Sequence, residues 1–159
     1  MPTTVRTPWV VPPSGGTVLQ ALGVRFTIKV SGTETGDAFS VAELEIPPGV
    51  TLPAHVHCRE EETLYLLEGA LDIHCGAKRF TVRKGATVVL PRHIPHSITN
   101  PADALARLLV TFTPARGDGF LEALGAVSAE QSSDLAKLSA VGRKYGVEFL
   151  PPASAIQRP

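Results

Sequence analysis

From residue 24 to residue 112 the chain breaks into short runs in which branched or aromatic residues alternate with polar ones: VRFTIKV (24–30), AFSVAELEI (38–46), TLYLLEG (63–69), LDIHC (71–75), KRFTV (78–82), ATVVL (86–90), HSITN (96–100) and ARLLVTF (106–112). A period of two puts alternate side chains on opposite faces and is the signature of half-buried β-strands. Between the runs lie SGTETGD, PPG, EGA, CGA, RKG, PRHIP and NPAD, which carry turn chemistry. Many short strands at regular spacing predict an all-β sandwich or closed barrel of the jelly-roll kind.

The two ends read differently. Pro2, Pro8, Pro12, Pro13, Gly15 and Gly16 block helix and predict an extended N-terminal arm over residues 1–16. After Pro114, GFLEALG and SDLAKLSAVGRKYG place Leu135, Leu138, Val141 and Tyr145 at helical spacing, with Gly146 as a C-cap candidate. We therefore expect one domain over residues 1–159: arm 1–16, barrel 17–115 and a short helical tail 116–159 packed on the barrel. No internal repeat or linker argues for a further boundary.

Charge removes whole classes of partner. Lys plus Arg and Asp plus Glu each total 15 among 159 residues, so no strong field exists to draw in nucleic acid or an anionic membrane. A small molecule is the expected partner. Cys58 and Cys75 are the two cysteines, too few for a disulfide framework. The opening MPTTVRTPWVVPPSGG lacks the charged and apolar regions of a signal peptide, so the expected location is the cytoplasm.

The chemistry gathers on four residues. His55 and His57 are two apart, so on a strand both imidazoles face the same way and form a chelating pair. Glu60, Glu61 and Glu62 compete for a carboxylate role. Register selects Glu62, because Leu64 and Leu66 then share its face, with Glu61 as runner-up. Glu62 follows His57 by five positions, so the run Cys58-Arg59-Glu60-Glu61 must bend to return it to the histidine face. His96 arrives from a distant strand after Pro95. Three imidazoles and one carboxylate suit a divalent transition metal rather than calcium or magnesium.

Gly49, His55, His57, Glu62 and Gly69 fit the first motif of the cupin superfamily, and Gly85, Pro91, His93, His96 and Asn100 fit the second, with His93 replacing a glycine. The chain thus resembles the cupins from about Thr17 to Phe112. Its C-terminal wording, GFLEALG and then YGVEFLPP, is similar to single-domain bacterial cupins of the quercetin-dioxygenase-like subgroup. The resemblance implies a metal-binding jelly-roll barrel, often paired into a homodimer, in a superfamily of dioxygenases, isomerases, cyclases, dehydratases and non-enzymatic binding proteins.

The expected metal set is His55, His57, Glu62 and His96, holding one divalent ion (Fe, Ni, Mn or Zn). Glu62 and His93 are the candidate catalytic residues. His93 occupies a turn where histidine tolerates positive φ, and it titrates near neutrality. His74 and Tyr65 are expected outside the barrel, Cys58 away from the chelating pair, and Asn100 in a turn-stabilising role. Leu64, Leu66, Ile98 and some of Leu108, Val110 and Phe112 are expected to line an apolar pocket, with no Lys or Arg on the inner parity unless the register of Arg25 and Lys29 is reversed. The favoured function is a dioxygenase-type oxidoreductase acting on a small, partly hydrophobic, enolic or aromatic molecule. The alternatives are a redox-neutral metal-dependent isomerase, cyclase or dehydratase, or a non-enzymatic binding protein.

Overall fold

The computed structural model describes residues 7–115, 119–127 and 134–151. Residues 7–16 contain no helix or strand, as expected of the arm, and the rest of the expected arm lies outside the described residues. The strands are β1 (Thr17–Ala21), β2 (Val24–Val30), β3 (Ser40–Ile46), β4 (Thr51–His57), β5 (Glu61–Glu68), β6 (Ala70–Cys75), β7 (Lys78–Arg83), β8 (Thr87–Leu90), β9 (His96–Thr99), β10 (Ala106–Thr113) and β11 (Val147–Phe149). The helices are α1 (Gly32–Thr35), α2 (Phe120–Gly125) and α3 (Leu135–Lys144).

Two antiparallel sheets face each other, ordered β1-β2-β3-β10-β5-β8 and β11-β4-β9-β6-β7. Strand alternation decides what lies between them. In β5, Glu62, Leu64 and Leu66 are buried while Tyr65 is 44% exposed, so a one-residue slip would turn its apolar face to water. Leu44, Leu71, Ile73, Ile98 and Leu108 complete the centre of the core. Leu108 is fully buried, and its truncation to alanine would cost about 2–5 kcal/mol.

The motif glycines and Asn100 fix the ends of the strands. Gly49 has φ +73°, and its N–H donates to the Asn100 carbonyl at 2.9 Å while the Asn100 N–H donates to Val50 O at 3.0 Å. The Asn100 side-chain amide donates to Ile46 O and Ala104 O, each at 2.8 Å. Asn100 is thus the buried turn-stabilising residue expected. Gly69 has φ +84°, and a Cβ there would meet Leu105 O and Ala106 Cα at 3.1 Å, so glycine is required where β5 turns into β6.

The C-terminal segment departs from a purely helical tail. Asp134 caps α3 by accepting from the N–H groups of Ala136 and Lys137. Gly146, with φ +74°, then reverses the chain, and β11 pairs with β4, Val147 opposite His57 and Phe149 opposite His55. A Cβ on Gly142 would collide with the Val147 carbonyl, which lets α3 lie directly on this strand. Three alternating residues, Val147 and Phe149 inward and Glu148 outward, are too few to separate from helix or loop by periodicity. The segment SGTETGD also departs from a simple turn: it contains α1, closed by a capping box between Ser31 and Glu34.

Candidate metal centre

β4 and β9 place the histidines. In their antiparallel pairing His55 lies opposite His96, beside a bulge between Leu52 and His55. β5, in the other sheet, brings Glu62 across the barrel, so the four residues meet only when the sheets close. One ligand atom from each of His55, His57, Glu62 and His96 lies within 4.8 Å of the others. His57, Glu62 and His96 are 4%, 5% and 2% exposed, and His55 is half-buried.

Hydrogen bonding fixes which nitrogens are available. Nδ1 of His55 faces Pro53 O at 2.7 Å, and Nδ1 of His96 faces Ile94 O at 3.3 Å. A carbonyl only accepts, so both rings are assigned the Nδ1–H tautomer, leaving Nε2 as a lone pair. Nε2 of His96 is 3.0 Å from Glu62 Oε2, and Nε2 of His57 is 3.5 Å from the same oxygen. Among the described residues neither Glu62 Oε2 nor His96 Nε2 has a hydrogen-bond partner. Two buried acceptors facing each other are costly unless a cation lies between them. The cluster could therefore bind a metal, and its donor set fits a divalent transition ion.

The electrostatics point the same way. Burial foremost, then the imidazoles of His96 and His57, lowers the His55 pKa from 6.5 to about 3. Burial opposes ionisation of Glu62, but His96 and then His57 and His55 outweigh it and bring its pKa to about 2. At neutral pH the centre thus presents a neutral imidazole and a carboxylate, the forms that ligate metals. Burial also opposes a charge on His57, but the carboxylates of Glu60 and Glu62 raise its pKa above 6.5.

A cavity of about 40 Å³ adjoins the cluster. Of the residues expected to line it, Ile98 and Phe112 do, whereas Leu64, Leu66, Val110 and Leu108 do not. The register explains the correction: Phe112 pairs with Glu62, Val110 with Leu64 and Leu108 with Leu66, so each step along the strands moves away from the cluster into filled core. The remaining wall includes Leu22, Phe26, Phe120, Leu124 and Phe149, contributed by elements outside the motifs. The apolar run at Phe120, Leu121 and Leu124 was the signal for α2, but its docking site was not readable.

Arg25 and Lys29 face outward. Arg25 bonds the Glu45 carboxylate, and Lys29 Nζ donates to carbonyls of the arm at Pro13 and Gly15. His93 lies in an exposed turn with φ +66°, and its N–H donates to His57 O at 2.8 Å. Its side chain is outside the four-residue cluster. His74 is exposed and Tyr65 largely so. Cys58 is half-buried, its N–H held by Gly146 O. Glu61, the expected runner-up, pairs with Arg92 at the surface. The second buried carboxylate is Glu60, 5% exposed, which parity did not single out because it precedes the strand.

Comparison with known proteins agrees with this architecture. Residues 42–112 match the family model for the Cupin domain. An uncharacterized protein of Methanocaldococcus jannaschii, MJ1618, is 33% identical over 75 residues, 47% of this chain and 60% of that protein. Quercetin 2,3-dioxygenase of Bacillus subtilis is 31% identical over 71 residues, 45% of this chain and 21% of the enzyme. The matched segment thus spans less than two thirds of either relative. A predicted oxalate decarboxylase of Thermotoga maritima superposes with a TM-score of 0.61 at 23% identity, covering 67% of this chain and 99% of that one, a likeness of fold. Residues 42–112 are thus similar to a cupin domain, and His55, His57, Glu62 and His96 all lie inside the matched segment.

Proposed function

We propose that this protein is a metal-dependent cupin of the quercetin-dioxygenase-like subgroup, a dioxygenase-type oxidoreductase for a small, partly hydrophobic enolic molecule. The observation carrying the reading is the facing pair His96 Nε2 and Glu62 Oε2, buried and without a hydrogen-bond partner among the described residues, beside an apolar cavity with no Lys or Arg among the described residues of its wall. His55, His57, Glu62 and His96 would hold one Fe, Ni, Mn or Zn ion. When bound, that ion supplies Lewis acidity toward an enolate oxygen and, if redox-active, a place for dioxygen.

The chain's own groups supply the rest. Glu62 Oε2 is positioned to take the hydroxyl proton of an enol, leaving the charged oxygen for the centre. Phe112, Phe120 and Phe149 exclude water and offer flat apolar surfaces. A wall whose described residues include no cationic side chain favours a substrate whose single anionic oxygen meets the centre over a dianion or a phosphate. A cavity of about 40 Å³ is small beside the roughly 150 Å³ that admits benzene in an engineered core. The substrate is therefore compact, and a ring enters only if α2 shifts. A cytoplasmic homodimer of single-domain chains remains our expectation for the assembly.

The test is metal analysis of protein purified without added metal, followed by oxygen uptake with a small β-diketone and a catechol as probes. Bound iron with uptake on either probe supports the reading. Bound metal with no uptake on either overturns the oxidative chemistry, and absence of metal binding overturns the centre itself.

A further inference from the structure

The three imidazoles are not held alike. Nδ1 of His55 and of His96 each faces the backbone carbonyl two residues earlier. Nδ1 of His57 instead faces a side chain, Glu60 Oε2, at 3.4 Å, with the side chains 4% and 7% exposed. Among the described residues no well-aligned hydrogen bond reaches that nitrogen. Glu60 sits in the bend between β4 and β5, where the backbone departs from the strand and turns a carboxylate inward. A carboxylate leaves water only where polar partners compensate, and the ring of His57 is one such partner.

We propose that Glu60 is a positioning residue for the metal centre, accepting the Nδ1–H of His57 so that Nε2 offers its lone pair to the ion; the proposal rests on the metal reading above. A carboxylate at Nδ1 does what a carbonyl does for the other rings, fixing tautomer and ring plane, and adds charge that strengthens the ring as a donor. His57 becomes the most electron-rich of the three nitrogen ligands. Glu60 is in this view distinct from Glu62: one carboxylate faces the ion and the other faces the back of a ligand.

The experiment titrates Co²⁺ into metal-free wild type, Glu60→Gln, Glu60→Met and His96→Ala, following the visible cobalt spectrum and, separately, thermal unfolding without metal. Loss of the Nδ1 acceptor in Glu60→Met should weaken cobalt binding by about 10–100-fold and shift the spectrum. Glu60→Gln, whose amide oxygen still accepts but carries no charge, should fall between Glu60→Met and wild type. Wild-type affinity and spectrum in both variants overturn the proposal, even if unfolding temperatures drop, since that pattern marks a purely structural role. Should Glu60→Met fail to fold, wild-type cobalt affinity in Glu60→Gln overturns it alone. Undiminished binding by His96→Ala would instead show that cobalt sits elsewhere, which is failure of the metal reading.

Discussion

Nε2 of His96 lies 3.0 Å from Oε2 of Glu62, two buried atoms on strands of opposite sheets, each without a hydrogen-bond partner among the described residues. The Nδ1–H of His96 is committed to Ile94 O, so the facing atoms are both acceptors. A proton on Nε2 or a metal ion between the two atoms makes their approach favourable, and this makes the centre testable one residue at a time.

His57→Ala and His96→Ala each remove one of the cluster's nitrogens, and metal content in both should fall well below stoichiometric. A three-ligand remnant chelates more weakly and leaves the buried carboxylate with one imidazole fewer beside it. Elemental analysis of the purified variants is the measurement. Full occupancy in both would place the metal somewhere else.

Glu62→Gln preserves shape and should leave the fold intact while weakening metal affinity, because a neutral amide is a poorer ligand than a carboxylate. Glu61→Gln should bind metal normally, since Glu61 lies at the surface with Arg92. Calorimetric titration of the two variants decides between them. The reverse pattern would mean that the register of β5 is off by one.

The metal-free protein should lose stability on acidification. His55 is neutral in the fold with a pKa of about 3 against 6.5, so the unfolded chain binds the extra proton and stability drains away as pH falls through that interval. Glu62, at about 2 against 4.5, adds a second loss at lower pH with the same sign. His57 works oppositely: its raised pKa contributes stability present below 6.5 and lost as pH climbs through the folded value. Thermal melts of stripped protein from neutral pH downward should show a falling midpoint. A flat profile below pH 6.5 would show that His55 is not held neutral by burial.

Phe120→Ala should enlarge the cavity and cost about 3–5 kcal/mol of stability, because Phe120 is 7% exposed and packs between the cluster and Phe149. If α2 limits ligand size, the variant should bind a catechol more tightly than wild type when each holds the same metal. Equal or weaker binding with the fold retained would remove α2 from the control of access.

Much of this was legible in the sequence for a simple reason: alternation of apolar and polar residues is a local property. It gave β2, β3 and β5 to β10, though not β4 as a run of its own, the inward face of Glu62, Leu64 and Leu66, and the outward face of Arg25, Tyr65 and His74. The spacing of His55, His57, Glu62 and His96 carried the cluster, because ligands on strands of period two can converge only in certain registers. Tertiary structure alone decided the rest. β11 exists because Gly146 returns the chain to β4, a pairing between residues about ninety positions apart that no local pattern encodes. Docking of α2 and β11 brought Phe120 and Phe149 to the cavity, which lies at the Glu62–Phe112 end of the strands rather than at Leu64 and Leu66. The burial of Glu60 depends on the course of the bend after His57, where neither the strand period nor the helix period applies. Parity fixes which side of a strand a residue takes, but contact across a barrel depends on how far along the strand it lies and what closes over it.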